Sequence, residues 1–260
     1  MAKTLKRIYA GCLQVAALTN RVKKSDGPQQ RAAKQKASSE AQRKLNQTLS
    51  WKKLELMLAV NFPTPGSGLV VELTYDDRHL PETRAEAQLR FKYFLHKLRQ
   101  ARKAAGLPEP RVFFAPEVLT SESGRWHHHI VLDSTGEDLP ILRAAWIYGS
   151  DIEARKLRVD AEKNHETLAR YMTKELRDCQ EYEAKPGLHG WGYTRNVLRP
   201  ETDTVIVPDD YQLAAPEGST VLIDERKSTE FSSWQVMKVR WGGDVFPRPA
   251  RAKRRRRRRA

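Results

Sequence analysis

Pro63-Thr64-Pro65-Gly66-Ser67-Gly68 is the stretch that most restricts how this chain can fold. Two prolines and two glycines in six residues continue neither a helix nor a strand, so the chain must turn there. The sequence pattern changes across it. From about Gln29 to Val60 there is no Gly or Pro, and Leu45, Leu49, Leu56 and Val60 keep a rough helical period. That predicts one or two basic helices. Beyond the breaker, Leu69–Tyr75 alternates and is rich in β-formers, which predicts a strand.

The rest of the middle of the chain follows from the same kind of reading. Pro81 precedes a helix with Leu89, Phe91, Phe94, Leu95 and Leu98 as its apolar stripe, ended by Gly106 and Pro108. Arg111–Glu117 and Trp126–Leu132 form two strands of an antiparallel hairpin around a polar loop. Leu139–Tyr148 is a short helix with Leu142, Ala145 and Trp146 inward. Ile152–Val159 is a strand, and Asn164–Cys179 is a helix striped by Leu168, Met172 and Leu176. The order β-α-β-β-α-β-α predicts an α+β fold, a ferredoxin-like antiparallel sheet with helices on its face. Residues 67–200 make this domain. Residues 1–66 are expected to be a basic, mainly helical extension, although the pattern of 1–28 assigns no element. Residues 201–247 are expected to form a small β-rich appendage, and 248–260 a disordered polyarginine tail.

The net charge is +15, and its distribution matters more than its total. Residues 1–60 carry 13 Lys/Arg against 3 Asp/Glu, and residues 248–260 carry 9 Lys/Arg and no acid. The residues between carry 25 basic and 29 acidic side chains, an ordinary globular balance. Basic flanks on such a domain point to a polyanionic partner. Two cysteines, Cys12 and Cys179, make neither a disulfide framework nor a Cys-rich zinc site. No apolar run approaches the ~20 residues of a membrane span. Ile8–Leu18 faintly resembles a signal peptide, but Gln14 interrupts it and Arg21, Lys23 and Lys24 follow, which argues against secretion. A cytoplasmic protein is expected, with the arginine tail also compatible with nuclear import.

Three motifs carry chemistry. In Gly124-Arg-Trp-His-His-His-Ile-Val-Leu132, strand alternation puts His127 and His129 on one face and His128 on the other. Two imidazoles on one rigid face can share a divalent ion. Glu117, near the end of the preceding strand, falls opposite Trp126 or His127 if the strands pair around the loop, and it is the expected carboxylate ligand, with Glu122 its rival. Two histidines and a carboxylate suit Mg²⁺ or Mn²⁺ with open positions for phosphate and water. Tyr171-Met-Thr-Lys174 lies on a helix, and residues three apart share a face. Tyr171 is therefore a candidate nucleophile and Lys174 a cation that favours its phenolate. Asn164 and His165, upstream on that helix, are either solvent-facing or in reach of a bound strand.

Together these motifs resemble the HUH endonucleases, specifically the single-tyrosine rolling-circle replication initiators. Leu69–Asp77 (LVVELTYDD) is similar to their first motif, GRWHHHIVL to their second and YMTK to their third, over roughly residues 69–200. The residue between the two ligand histidines is here His rather than aliphatic. The resemblance implies a metal-assisted attack of Tyr171 on single-stranded or extruded origin DNA, leaving a 5′-phosphotyrosine and a 3′-OH that primes replication. It also implies a host polymerase, and a host helicase, since no Walker loop follows the motifs. A single-tyrosine HUH transposase would use the same chemistry. Conjugative relaxases carry their tyrosine ahead of the histidines, the reverse of the order here. A non-enzymatic basic DNA-binding protein is the alternative of another class. Candidate DNA contacts are Arg125 in the loop, Trp191 and Arg195 in the aromatic-basic stretch 191–199, and Arg254, Arg255 and Arg256 in the tail.

Overall fold

The computed structural model describes residues 2–20, 40–115, 118–119, 126–160, 164–178, 191–228 and 233–247. In chain order the elements are β1 (Lys3–Ala10), β2 (Leu13–Asn20), α1 (Glu40–Asn61), β3 (Gly68–Thr74), α2 (Arg84–Ala104), β4 (Val112–Phe114), β5 (Val118–Leu119), β6 (Trp126–Asp133), α3 (Asp138–Ala145), β7 (Ile152–Lys156), α4 (Glu166–Asp178), β8 (Gly192–Tyr193), β9 (Glu201–Val207), β10 (Ser219–Ser228) and β11 (Ser233–Trp241). The fold is α+β with two antiparallel sheets. The chain divides into two compact units, one of residues 21–201 and one of residues 1–20 with 202–260.

In the first unit the sheet order is β7-β3-β6-β4-β8, with β5 also pairing β6. β3 and β4 are both antiparallel to β6, and β7 is antiparallel to β3. Hence α2 and α3 each cross over one intervening strand. They share a face, as two crossovers of one hand require. That face buries Phe91, Phe94, Leu95 and Leu98 of α2, with Leu142 and Ala145 of α3, against Val71, Leu73, Ile130 and Leu132. The other face is apolar too, with Phe113 and Val131 at its centre. It is covered by Trp51, Leu54, Met57 and Leu58 of α1 and by Ala169 and Met172 of α4. Helices thus cover both faces, where one was expected, because the central strands carry apolar residues on both sides.

The breaker at 63–68 separates α1 from β3, with Gly66 at φ 77°. The helix before it forms as expected but buries a different stripe. Leu45 and Leu49 are exposed and Leu56 and Val60 only half-buried, while Trp51, Leu54, Met57 and Leu58 face the sheet. The end of β3 is held by the segment after α3. Trp146 Nε1 donates to the Thr74 carbonyl at 3.0 Å, and Asp76 N to the Tyr148 carbonyl at 3.0 Å. Gly149 permits this approach, since a Cβ there would sit 2.1 Å from the Thr74 oxygen. At the opposite end, the fully buried Arg102 joins α2 to Asp133 at 3.1 Å and to Asp138 at 3.0 Å.

The second unit departs from the mainly helical extension expected for residues 1–66, in a stretch whose own pattern assigned no element. Residues 3–20 are a β-hairpin, with Ala10 opposite Leu13 and Gly11 at φ 57° supplying the left-handed residue of its two-residue turn. Its sheet order is β10-β11-β2-β1-β9, so the N-terminal strands lie between strands from the C-terminal part. Leu5, Tyr9, Ala16, Leu18, Met237, Val239 and Phe246 form its core. The 201–247 region is β-rich, but it shares its sheet with the N-terminus. Arg254, Arg255 and Arg256 lie outside the described residues.

Candidate metal centre and nucleophile

The alternation of β6 separates its three histidines. His128 is fully buried on the α2/α3 face, where its Nε2 lies 2.7 Å from the Tyr75 hydroxyl and its ring stacks on Phe91 at 4.7 Å. His127 and His129 lie on the other face, only 8% and 7% exposed, with their Nε2 atoms 2.9 Å apart. At that separation the two rings are close enough for one divalent ion to take a nitrogen from each.

The carboxylate comes from a strand that sequence reasoning did not consider for this role. Glu72 of β3 is the register partner of His129, and cross-strand partners point to the same face. Its Oε2 lies 3.7 Å from His129 Nδ1. Glu72, His127 and His129 each offer a ligand atom, and these lie within 4.8 Å of one another. The sequence held one signal for Glu72: it is the charged residue inside the apolar run Leu69–Leu73, and a central strand carries a carboxylate at some cost. Glu117 and Glu122 lie outside the described residues. The register puts Val118 opposite His127 and Leu119 opposite Trp126.

Tyr171 projects from α4, whose Ala169 and Met172 are buried against the sheet and α1. Its ring centroid is 5.3 Å from that of His129, edge to face at 73°. It is 48% exposed, so one side of the ring meets the triad and the other is open to solvent. Lys174 lies one turn on in the same helix. Its side chain, like all of Arg125, lies outside the described residues.

α4 is tied down at its start. Asn164, at φ 58°, is buried and bridges its backbone to Asp160. His165 is buried, with Nε2 2.9 Å from the Phe62 carbonyl, and burial pushes its pKa below the usual histidine value against the raising effect of that hydrogen bond. Neither residue faces solvent as one of the expectations had it. Both fix where Tyr171 sits.

The 191–199 stretch is less exposed than a stacking surface requires. Trp191 is 8% exposed within the α1/α4 core, and its Nε1 donates to Ser50 Oγ at 3.0 Å. It is a core residue because its ring packs with Phe113 and Tyr193. Arg195 is exposed.

On β7, next to β3, Glu153 is opposite Glu72 and Arg155 opposite Val70. The guanidinium of Arg155 binds Glu153 through Nε and Nη2. That hydrogen bond raises its pKa first, with further contributions from the charges of Glu153, Glu72 and Tyr171.

No protein family, curated protein or solved structure matches the chain.

Proposed function

We propose that this protein nicks and rejoins single-stranded DNA by attack of Tyr171 on a phosphodiester, as a single-tyrosine HUH endonuclease serving rolling-circle replication. One observation carries the reading: the half-exposed Tyr171 ring packs edge-on against His129 of a Glu72/His127/His129 cluster. A phenol beside such a triad supports a reading of phosphoryl chemistry. The sheet order supports a ferredoxin-like fold. Within the β3-α2-β4-β6-α3-β7 unit, the first and third strands are adjacent at the centre, flanked by the fourth and the second.

The triad would hold a divalent ion, Mg²⁺ or Mn²⁺ in this reading, to supply charge neutralisation at the phosphate. Glu72 and the two histidines sit on adjacent strands of one sheet, so their positions are fixed before substrate arrives. The Tyr171 oxygen forms a bond to phosphorus, and the bond from phosphorus to the 3′ oxygen breaks. The phenolic proton passes to solvent and the 3′ oxygen takes one up, leaving a 5′-phosphotyrosine and a 3′-OH. Attack by a 3′-OH on the phosphotyrosine reverses the step and rejoins a strand without an external energy source. Lys174 on the same helix would favour the phenolate. The polybasic ends would add sequence-independent phosphate affinity. Origin DNA, a host helicase and a host polymerase are the partners this reading requires, in the cytoplasm or nucleus of the host. No described helix is long and apolar enough to cross a membrane.

The test is incubation with a library of single-stranded oligonucleotides and Mn²⁺. Covalent protein–DNA adducts that survive denaturation, each paired with a released 3′-OH fragment, are the expected result. Neither adduct nor cleavage, for any library member, would contradict the proposal.

A further inference from the structure

We propose that Arg155, held by Glu153 on the edge strand β7, grips the phosphate that Tyr171 attacks; this rests on the nickase reading above. The register supplies the direction. Arg155 is paired with Val70 and Glu153 with Glu72, and cross-strand partners point to the same side of a sheet. Val70 and Glu72 lie on the triad's face, so Arg155 projects over that face from the next strand out. β7 is the sheet's outer strand, and the Arg155 side chain is 73% exposed, so a nucleic-acid strand can reach it.

The chemistry needs a cation there. Glu72 and Glu153 put two carboxylates beside the place where a phosphodiester must bind, and they repel it. Arg155 spends Nε and Nη2 on Glu153 and keeps Nη1 for an oxygen of the phosphate. As the tyrosyl oxygen bonds to phosphorus and the 3′ oxygen leaves, charge gathers on the non-bridging oxygens. Arg155 donates a hydrogen bond to one of them and transfers no proton, since a guanidinium stays charged. The Glu153–Arg155 pair is exposed, so the fold gains little from it.

Single-turnover adduct formation with an oligonucleotide and Mn²⁺ tests this, alongside Mn²⁺ binding measured by calorimetry without DNA. Arg155→Gln is expected to slow adduct formation at least tenfold with unchanged Mn²⁺ affinity and unfolding midpoint. Arg155→Lys should recover part of the rate, as a point charge without the planar fork. Glu153→Gln should fall between wild type and Arg155→Gln. If wild type forms the adduct and Arg155→Gln does so equally fast, the role of Arg155 is overturned and the nickase reading stands. Loss of Mn²⁺ affinity in Arg155→Gln would likewise overturn it, making Arg155 part of the triad's scaffold. Absence of any adduct in wild type would overturn both.

Discussion

At the residue scale, three consecutive histidines have two fates, and a period of two decides between them. His127→Ala, His129→Ala and Glu72→Ala are each expected to lower Mn²⁺ affinity by more than about 100-fold, since even a group that merely supports a metal ligand costs about 10- to 100-fold. Isothermal titration calorimetry checks it, and Mn²⁺ affinity unchanged by Glu72→Ala would remove Glu72 from the site. His128→Ala should behave differently. It deletes a buried ring stacked on Phe91 and removes the 2.7 Å hydrogen bond to the Tyr75 hydroxyl, so it should destabilise the fold by about 2–4 kcal/mol in urea unfolding. The folded fraction should still bind Mn²⁺. The histidine pair was legible because alternation on a strand needs no tertiary information. Glu72 was not singled out, because which strand lies beside β6 is a matter of topology that local pattern does not state.

At the element scale, the order of strands and helices from β3 to α4 was legible except for the short β5, because the elements carry their own periods and most have a Gly or Pro boundary. The face of α1 was not. Leu45 and Leu49 are exposed, and the buried stripe of Trp51, Leu54 and Leu58 depends on the sheet face that α1 covers. Two internal ties set how rigid these elements are. Asp138 is buried, which by itself raises its pKa, but hydrogen bonds from Thr135 and Ser134 and the charge of Arg102 bring it below the usual carboxylate range. Its contribution is therefore present above about pH 4 and is lost as pH falls through the folded-state value. Removing Arg102 leaves two carboxylates at a fully buried guanidinium site, so Arg102→Ala is expected to cost about 3–5 kcal/mol at pH 7. A urea midpoint close to wild type would contradict that. His165 works in a different pH window. Its pKa is lowered by burial, so the unfolded chain takes up a proton first, and stability falls as pH drops below about 6.5. His165→Gln should flatten the decline in urea midpoint between pH 7 and pH 5. An equally steep decline in the variant would mean that His165 does not drive it.

At the scale of the whole molecule, the basic flanks and the globular middle were legible from charge counts, while the partnership of the two chain ends was not. Within residues 3–20, the stretch Ile8–Leu18 faintly resembles a signal peptide, and the local pattern assigns no element. Residues 3–20 form a hairpin whose second strand, β2, pairs with β11 more than 200 residues away. The tail of residues 248–260 has nine Lys/Arg and no acid. Its deletion is expected to weaken single-stranded DNA binding and to flatten the plot of log affinity against log salt, because fewer counterions are released. Cleavage of a short oligonucleotide at saturation should be unchanged. An unaltered salt slope would show that the tail does not contact DNA. If one oxygen, on Tyr171, performs the chemistry, its removal must abolish both nick and adduct. Wild type and Tyr171→Phe are incubated with labelled single-stranded DNA and Mn²⁺, resolved on a denaturing gel, and the adducted peptide is mapped. The substitution removes a hydroxyl from a half-exposed ring and almost no volume, so folding and DNA binding should survive. The wild-type adduct is expected on Tyr171, with both adduct and nick absent in the Phe variant. An adduct on another residue, or undiminished nicking by Tyr171→Phe, would contradict it.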